Sequence, residues 1–275
     1  MFSKSLGYSA IVLLISVGFI ACSSNENGLG TTNLNFEIEG VFGSIDLSTT
    51  TNLDLNGTAI QIKDARFYVS NVVLFYQDGR EIAFSESPIF VPAKDGDTNI
   101  IYKLSEKIGF FRHDKNLNIL SLGEVPSGPY TGFRFDIGLR GLTNKVDPNS
   151  LPTGHPLEKQ TDVDNHWDIE TGYIFFRFEG HQDLDADSQV DETEEAHWWL
   201  HLGTADMLRT IEITHPFRLD SDSENALRIL FDYKELLEAY GENLPKTYTK
   251  NNIEQATIGA DALQKVVQFN GIHRK

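Results

Sequence analysis

Leu34-Asn35-Phe36-Glu37-Ile38-Glu39 alternates apolar and polar residues with period two. Only an extended chain puts every second side chain on one face, so the stretch reads as a half-buried β-strand. The same period returns at Asn52-Leu53-Asp54-Leu55-Asn56, just before Gly57. Further out, residues 65–76 (ending at the turn Gln77-Asp78-Gly79), 132–139, 172–179, 198–202 and 227–231 are further strand candidates by composition and punctuation. Helix is sparse, with 232–239 and 251–269 as the best cases. Short strands separated by Gly, Pro and Asn clusters predict a mainly β protein: an antiparallel β-sandwich with long loops and a few short helices. Residues 145–168, with Pro148, Pro152 and Pro156, are too many for a simple connection, and loops of that length are usually functional or disordered.

The first residues belong to another kind of segment. Lys4 supplies a positive start, residues 11–20 are apolar, and Phe19-Ile20-Ala21-Cys22 resembles a bacterial lipoprotein box. Cleavage there would leave Cys22 as a lipid-modified N-terminus; an ordinary secretory signal with a chance cysteine is the other reading. The expected organisation is a signal peptide at 1–21, a flexible polar linker at 22–33 and one β-sandwich domain at 34–275. That places the protein in the cell envelope, tethered by lipid to the outer (or inner) membrane and facing the periplasm or the surface. Cys22 is the only cysteine, which excludes an intramolecular disulfide and any cysteine-rich zinc or iron–sulfur site. A net charge of −17 argues against nucleic acid as a partner, because a polyanion needs a basic footprint. With 18 Phe, 9 Tyr and 3 Trp the chain can fill a sizeable core.

Six of the eight histidines lie between His155 and His215, together with all three tryptophans. In His197-Trp198-Trp199-Leu200-His201 a strand puts His197, Trp199 and His201 on one face and Trp198 and Leu200 on the other. Residues i and i+2 are about 7 Å apart and can converge on one ion, whereas i and i+4 are about 13 Å apart and need a ligand from elsewhere. His166, beside Trp167, and His215 are the candidates for that second ligand. Imidazoles without thiolate suit copper, zinc or nickel. The same residues also fit a sheet edge whose histidines are hydrogen-bonded to carboxylates.

A second metal signal is Asp183-Leu184-Asp185-Ala186-Asp187-Ser188-Gln189-Val190-Asp191. Oxygen ligands at Asp183, Asp185, Asp187, Gln189 and Asp191 copy the first half of a calcium loop, although Ser188 stands where such a loop has its glycine. A solvated acidic loop is the alternative. No nucleophile elbow, P-loop or His-Glu-x-x-His is present, and no acid–base pair stands out, so the chain is not expected to be an enzyme.

Several blocks together resemble one family: Ile62-Lys63-Asp64-Ala65-Arg66-Phe67-Tyr68-Val69-Ser70-Asn71-Val72, Tyr130-Thr131-Gly132-Phe133-Arg134-Phe135-Asp136-Ile137-Gly138, Asp147-Pro148, Trp167-Asp168-Ile169-Glu170-Thr171-Gly172-Tyr173-Ile174-Phe175-Phe176-Arg177 and His201-Leu202-Gly203-Thr204. In this order they resemble the MbnP-like family of the methanobactin-associated type. The resemblance implies an exported β-sandwich. It also implies copper bound by histidines with help from a tryptophan oxidised to kynurenine, and association with di-haem peroxidase-like enzymes. Trp199-Leu200-His201 looks like the tryptophan-x-histidine pairing of copper-binding relatives. That makes His201 the first copper ligand, Trp199 the kynurenine candidate, and His166, His197 or His215 the second ligand. Two departures stand out. The histidine that members often carry in the first strand is replaced here by Phe36-Glu37-Ile38-Glu39, and the cysteine that commonly follows His-Leu-Gly is replaced by Ala205, Asp206 and Met207.

Two functions from different classes follow. One is a lipid-anchored extracytoplasmic protein that captures or carries copper. The other is a non-enzymatic surface module that binds a protein or glycan through its aromatic residues, braced by calcium and without a copper site.

Overall fold

The computed structural model describes residues 30–47, 52–159, 165–241 and 243–274. The signal segment, Cys22 and the linker up to residue 29 lie outside the described residues. Along the chain run β1 (Thr31–Phe42), β2 (Ile45–Asp46), β3 (Leu53–Leu55), β4 (Thr58–Tyr76), β5 (Glu81–Ala83), β6 (Ser85–Asp95), β7 (Thr98–Glu106), β8 (Gly109–Arg112) and β9 (Ile119–Pro126). Next come β10 (Gly128–Ile137), β11 (His166–Asp168), β12 (Gly172–Gln182), β13 (His197–Gly203), β14 (Arg209–Ile213), β15 (Phe217–Leu219) and β16 (Asn225–Asp232). Helix α1 (Tyr233–Glu238), β17 (Lys246–Tyr248), helix α2 (Ile253–Leu263) and β18 (Val267–Arg274) complete it.

These strands form two large sheets and a hairpin. One sheet has the order β18-β16-β1-β2, with β9 also on β1; the other runs β14-β10-β4-β12-β13-β17, with β3, β5 and β8 on β4, β11 on β12 and β15 on β10. Pairing is antiparallel except where β1 meets β16 and β13 meets β17. The alternation at the start of β1 does its work here: Leu34, Phe36 and Ile38 are buried, while Asn35, Glu37 and Glu39 turn outward. Phe36 meets Phe135 edge-on at 4.9 Å, and Phe67, Phe176 and Phe231 pack around the same centre. Each such ring removed from water contributes about 2 kcal/mol, so this inter-sheet layer dominates the fold.

The long strand β4 is buried on both faces. Ala65, Phe67 and Val69 enter the inter-sheet core, and Tyr68 on the opposite face belongs to a second cluster with Val91, Leu104, Val146, Leu157 and Phe175. The β6–β7 hairpin supplies part of that cover. So does the long segment after Lys145, which follows a short 3-10 turn at Gly141–Lys145 and contains another at Pro148–Ser150; the Tyr173 hydroxyl donates to the Leu157 carbonyl at 2.9 Å. Residues 160–164 lie outside the described residues.

Three expectations need correction. Strand β1 begins at Thr31, so the last residues assigned to the linker pair with β9 instead. The C-terminal helix ends at Leu263, and Val267 to Phe269, expected to continue it, join β18 against β16, because a β-branched and aromatic run finds a waiting strand edge. Strands β6 to β9 have no counterpart among the sequence expectations. Helix α1 keeps its expected place, with the Asp232 carboxylate accepting from the Lys234 amide at 2.9 Å as an N-cap. Among the described residues no helix is long and apolar enough to cross a membrane.

Candidate metal centre

The histidine-rich strand lies in register with its neighbours. On β12 and β13, Arg177 faces His201, Glu179 faces Trp199 and His181 faces His197. Continuing outward, Arg177 and Glu179 face Arg66 and Asp64 on β4, Arg66 faces Arg112 on β8, and Trp199 and His201 face Lys246 and Tyr248 on β17. Alternation sends Phe176, Phe178, Trp198, Leu200 and Leu202 into the core with no exposure, which leaves the charged and imidazole side chains in a strip on the outer face. Gly180 makes this possible. A Cβ there would lie 2.1 Å from the Gln61 carbonyl oxygen and 2.3 Å from the Trp198 ring, so only glycine lets that indole cross β12.

Glu179 is the centre of the strip. Its Oε1 accepts from His201 Nε2 and from Arg177 Nη2 at 2.6 Å, while Oε2 faces His197 Nε2 at 3.6 Å. The carboxylate thus spans the gap between two histidines that are four residues apart on one strand. Arg177 Nε also reaches Asp64 Oδ2 at 3.1 Å, Arg66 Nε donates to Asp64 Oδ1 at 2.6 Å, and Arg112 pairs with Asp114. The result is a row of alternating charge across four strands.

Burial pushes the Glu179 carboxyl up, but the His201 hydrogen bond and the Arg177 charge outweigh it and hold the group at about 2. At Asp64 burial wins over Arg66 and Arg177, and its carboxyl is raised. The imidazoles shift the other way. His201, only 5% exposed, is lowered by burial despite Glu179, and His181 is lowered by burial and by neighbouring His197 and Lys63. A neutral His201 therefore stands against an ionised Glu179 carboxylate, the protonation state in which both can take a metal ion.

Aromatic rings frame the strip. His181 and His197 have ring centroids 5.1 Å apart, His197 and Trp199 5.2 Å, Trp199 and Tyr248 5.8 Å, and His201 and Tyr248 4.7 Å. His181 Nδ1 and Trp199 Nε1 are buried without a hydrogen-bond partner. Two imidazoles on one tetrahedral ion, each nitrogen about 2 Å from the metal, have centroids about 5 Å apart, so the spacing of His181 and His197 and the orphaned Nδ1 fit a bound cation. Met207 is buried in the main core and offers the strip no sulfur.

Other expected ligands lie elsewhere. His166 pairs in register with Tyr173, with its ring 4.7 Å from the Tyr173 ring, and lines a cavity of about 450 Å³ with Asp147, Asn149 and Ile169. Tyr173 is four residues, about 13 Å, from Arg177 along β12. His215 follows β14 and meets Phe269 edge-on at 5.3 Å. Strands β12 and β10 follow one another along the edge of β4 opposite β8, so β13 and β14 lie in line, with His201 level with Arg66 and Ile213 level with Leu74, about 26 Å further along. Of the candidate second ligands the structure places only His197 beside His201. Trp198 is wholly buried, so the tryptophans do not form one exposed patch. The sequence reading missed Glu179, His181, Arg177 and Tyr248. The alternation Arg177, Glu179, His181 carried the signal, but the expected strand stopped at residue 179.

In the acidic loop, Asp183, Asp185 and Asp187 bring ligand atoms within 4.8 Å of one another, the one such group of three among the described residues. The Asp183 carboxylate accepts from the amides of Ala186 and Ser188, both at 2.8 Å, and Asp191 accepts from the Leu184 amide at 2.9 Å. Ser188 adopts φ +68°, the left-handed turn for which glycine is the usual choice. Gln189 and Asp191 stand outside the three-carboxylate group.

The family model for MbnP matches residues 31–257. The chain belongs to the MbnP family. No curated protein matches it. Among solved structures, the fold of this MbnP-family protein is similar to MbnP from Methylosinus trichosporium, with 11% identity, 89% of this chain and 99% of that chain covered, and a TM-score of 0.50. The match over residues 31–257 takes in β4, β12 and β13, and with them the whole strip.

Proposed function

We propose that this MbnP-family protein is a lipid-anchored envelope protein that captures or carries copper on the outer face of β12 and β13. One observation carries the reading: His197, Trp199 and His201 share one face of a strand, and a carboxylate from the next strand spans the distance between the two histidines. Imidazoles that are neutral at physiological pH and a donor set without sulfur support copper held by nitrogen and oxygen. Trp199 flanks the site as the residue whose oxidation to kynurenine would add a ligand, and a di-haem peroxidase-like enzyme is the proposed partner for that step. Cys22 would carry the lipid anchor. The carboxylates of Asp183, Asp185 and Asp187 would hold a calcium ion that braces the loop between β12 and β13. The role is binding, not catalysis.

The test is native mass spectrometry with elemental analysis on soluble protein beginning at Ser23, purified from its own envelope. Copper near one equivalent, lost in His201→Ala, and a mass gain on the Trp199 peptide are the expected results. A chain that takes up no copper after loading in either oxidation state refutes the proposal.

A further inference from the structure

The strip carries donors beyond the pair His197 and His201. Glu179 stands opposite Trp199, and its two oxygens are used differently. Oε1 is engaged by His201 and Arg177, whereas the contact at Oε2 is His197 Nε2 at 3.6 Å. Ligand atoms on one tetrahedral ion, each about 2 Å from the metal, are about 3.3 Å apart, close to the separation found. On the other side of His197, directly across the ladder, His181 presents a ring at the spacing of two imidazoles on one ion and a buried Nδ1 with no hydrogen-bond partner. These are separate observations on separate residues, and His197 is common to both.

Building on the copper reading, we infer that His181 and Glu179 are ligands of this site together with His197, which makes it a nitrogen–oxygen site for a divalent ion, Cu(II) or Zn(II), rather than a soft site for Cu(I). His201 and Arg177 then act as positioning residues: they hold the carboxylate through Oε1 and leave Oε2 for the metal. The ligand atoms of the three residues do not all lie within 4.8 Å of one another. Metal binding then requires the half-buried His181 ring to turn towards Glu179. An anionic oxygen with imidazoles favours divalent ions over Cu(I), which prefers thiolate and thioether. Cys22 is the one cysteine, and Met207 is buried in the core.

The experiment uses metal-free protein from Ser23 to Lys275. Cu(II), Zn(II) and Cu(I) are titrated separately against chelators of known affinity, and the Cu(II) form is examined by electron paramagnetic resonance with nitrogen hyperfine resolution. His181→Ala and Glu179→Gln should each weaken Cu(II) and Zn(II) by at least about tenfold and change Cu(I) binding little. One imidazole coupling should disappear from the Cu(II) spectrum of His181→Ala. Glu179→Asp, which keeps the charge but shortens the reach, should fold and still lose Cu(II) affinity. If both His181→Ala and Glu179→Gln bind Cu(II) as the parent does, this inference is overturned, while copper lost in His201→Ala keeps the copper reading intact. A parent protein that binds no copper in either state overturns the copper reading itself.

Discussion

Replacing Glu179 with Gln tests whether the row of charges across β4, β12 and β13 stabilises the metal-free fold. The substitution keeps the shape and an acceptor oxygen for His201 and removes only the charge. A carboxyl at 4.5 in the unfolded chain and about 2 in the fold contributes about 3 kcal/mol at neutral pH, at 1.36 kcal/mol for each pH unit between the two. The Glu179 side chain is only 15% exposed, so solvent screening takes little from that figure. The sign follows from proton binding. The fold binds the Glu179 proton more weakly than the unfolded chain, so the contribution is complete above about 4.5 and is lost as pH falls towards 2. Urea unfolding of chelator-treated parent and variant at pH 7, 5, 4 and 3 measures the difference. The parent should be more stable by about 3 kcal/mol at pH 7, with the gap narrowing at pH 4 and 3. A gap that stays constant with pH, or a Gln variant as stable as the parent at pH 7, would show that the Arg177 and His201 contacts do not hold the charge as argued.

Three further outcomes follow from the same geometry. Gly180→Ala should cost about 3 kcal/mol in urea unfolding, because the new methyl group meets the Gln61 carbonyl as well as the Trp198 ring, and backbone cannot step aside. Burial lowers His113 from 6.5 to about 4, against the edge of Tyr233, so the fold should lose about 3 kcal/mol as pH falls through that interval; a His113→Gln protein should not show this loss. Calcium at a hundredfold excess over its Kd should raise the thermal midpoint by about 5 °C or more, and Asp187→Ala should abolish the rise; equal midpoints with and without calcium would remove the ion from the loop.

Where burial follows a simple period, the sequence was legible. Period two in β1, the aromatic runs of β4, β10, β12 and β16, and the split of His197, Trp199 and His201 from Trp198 and Leu200 could all be read from local pattern. Strands β6 to β9 were not legible, because β6 and β7 are mostly exposed hairpin strands with several apolar residues on their wet face, among them Phe90 and Ile101. Helix α2 ran too long in the sequence reading because propensity changes gradually from Leu263 to Val267, whereas the edge of β16 sets the boundary abruptly.

The sequence by itself determined the fold class, the family and the strand that bears the histidines, since each depends on neighbours along the chain. The tertiary structure decided which residues stand together across strands. Register, which no local pattern encodes, sets Glu179 opposite Trp199 and His181 opposite His197. Register along β4 carries His215 past the level of Leu74 while His201 stays level with Arg66, and pairing of β11 with the start of β12 keeps His166 beside Tyr173. A one-residue slip between β12 and β13 would turn the Glu179 carboxylate into the core, so long-range pairing and burial, not spacing along the chain, build the strip.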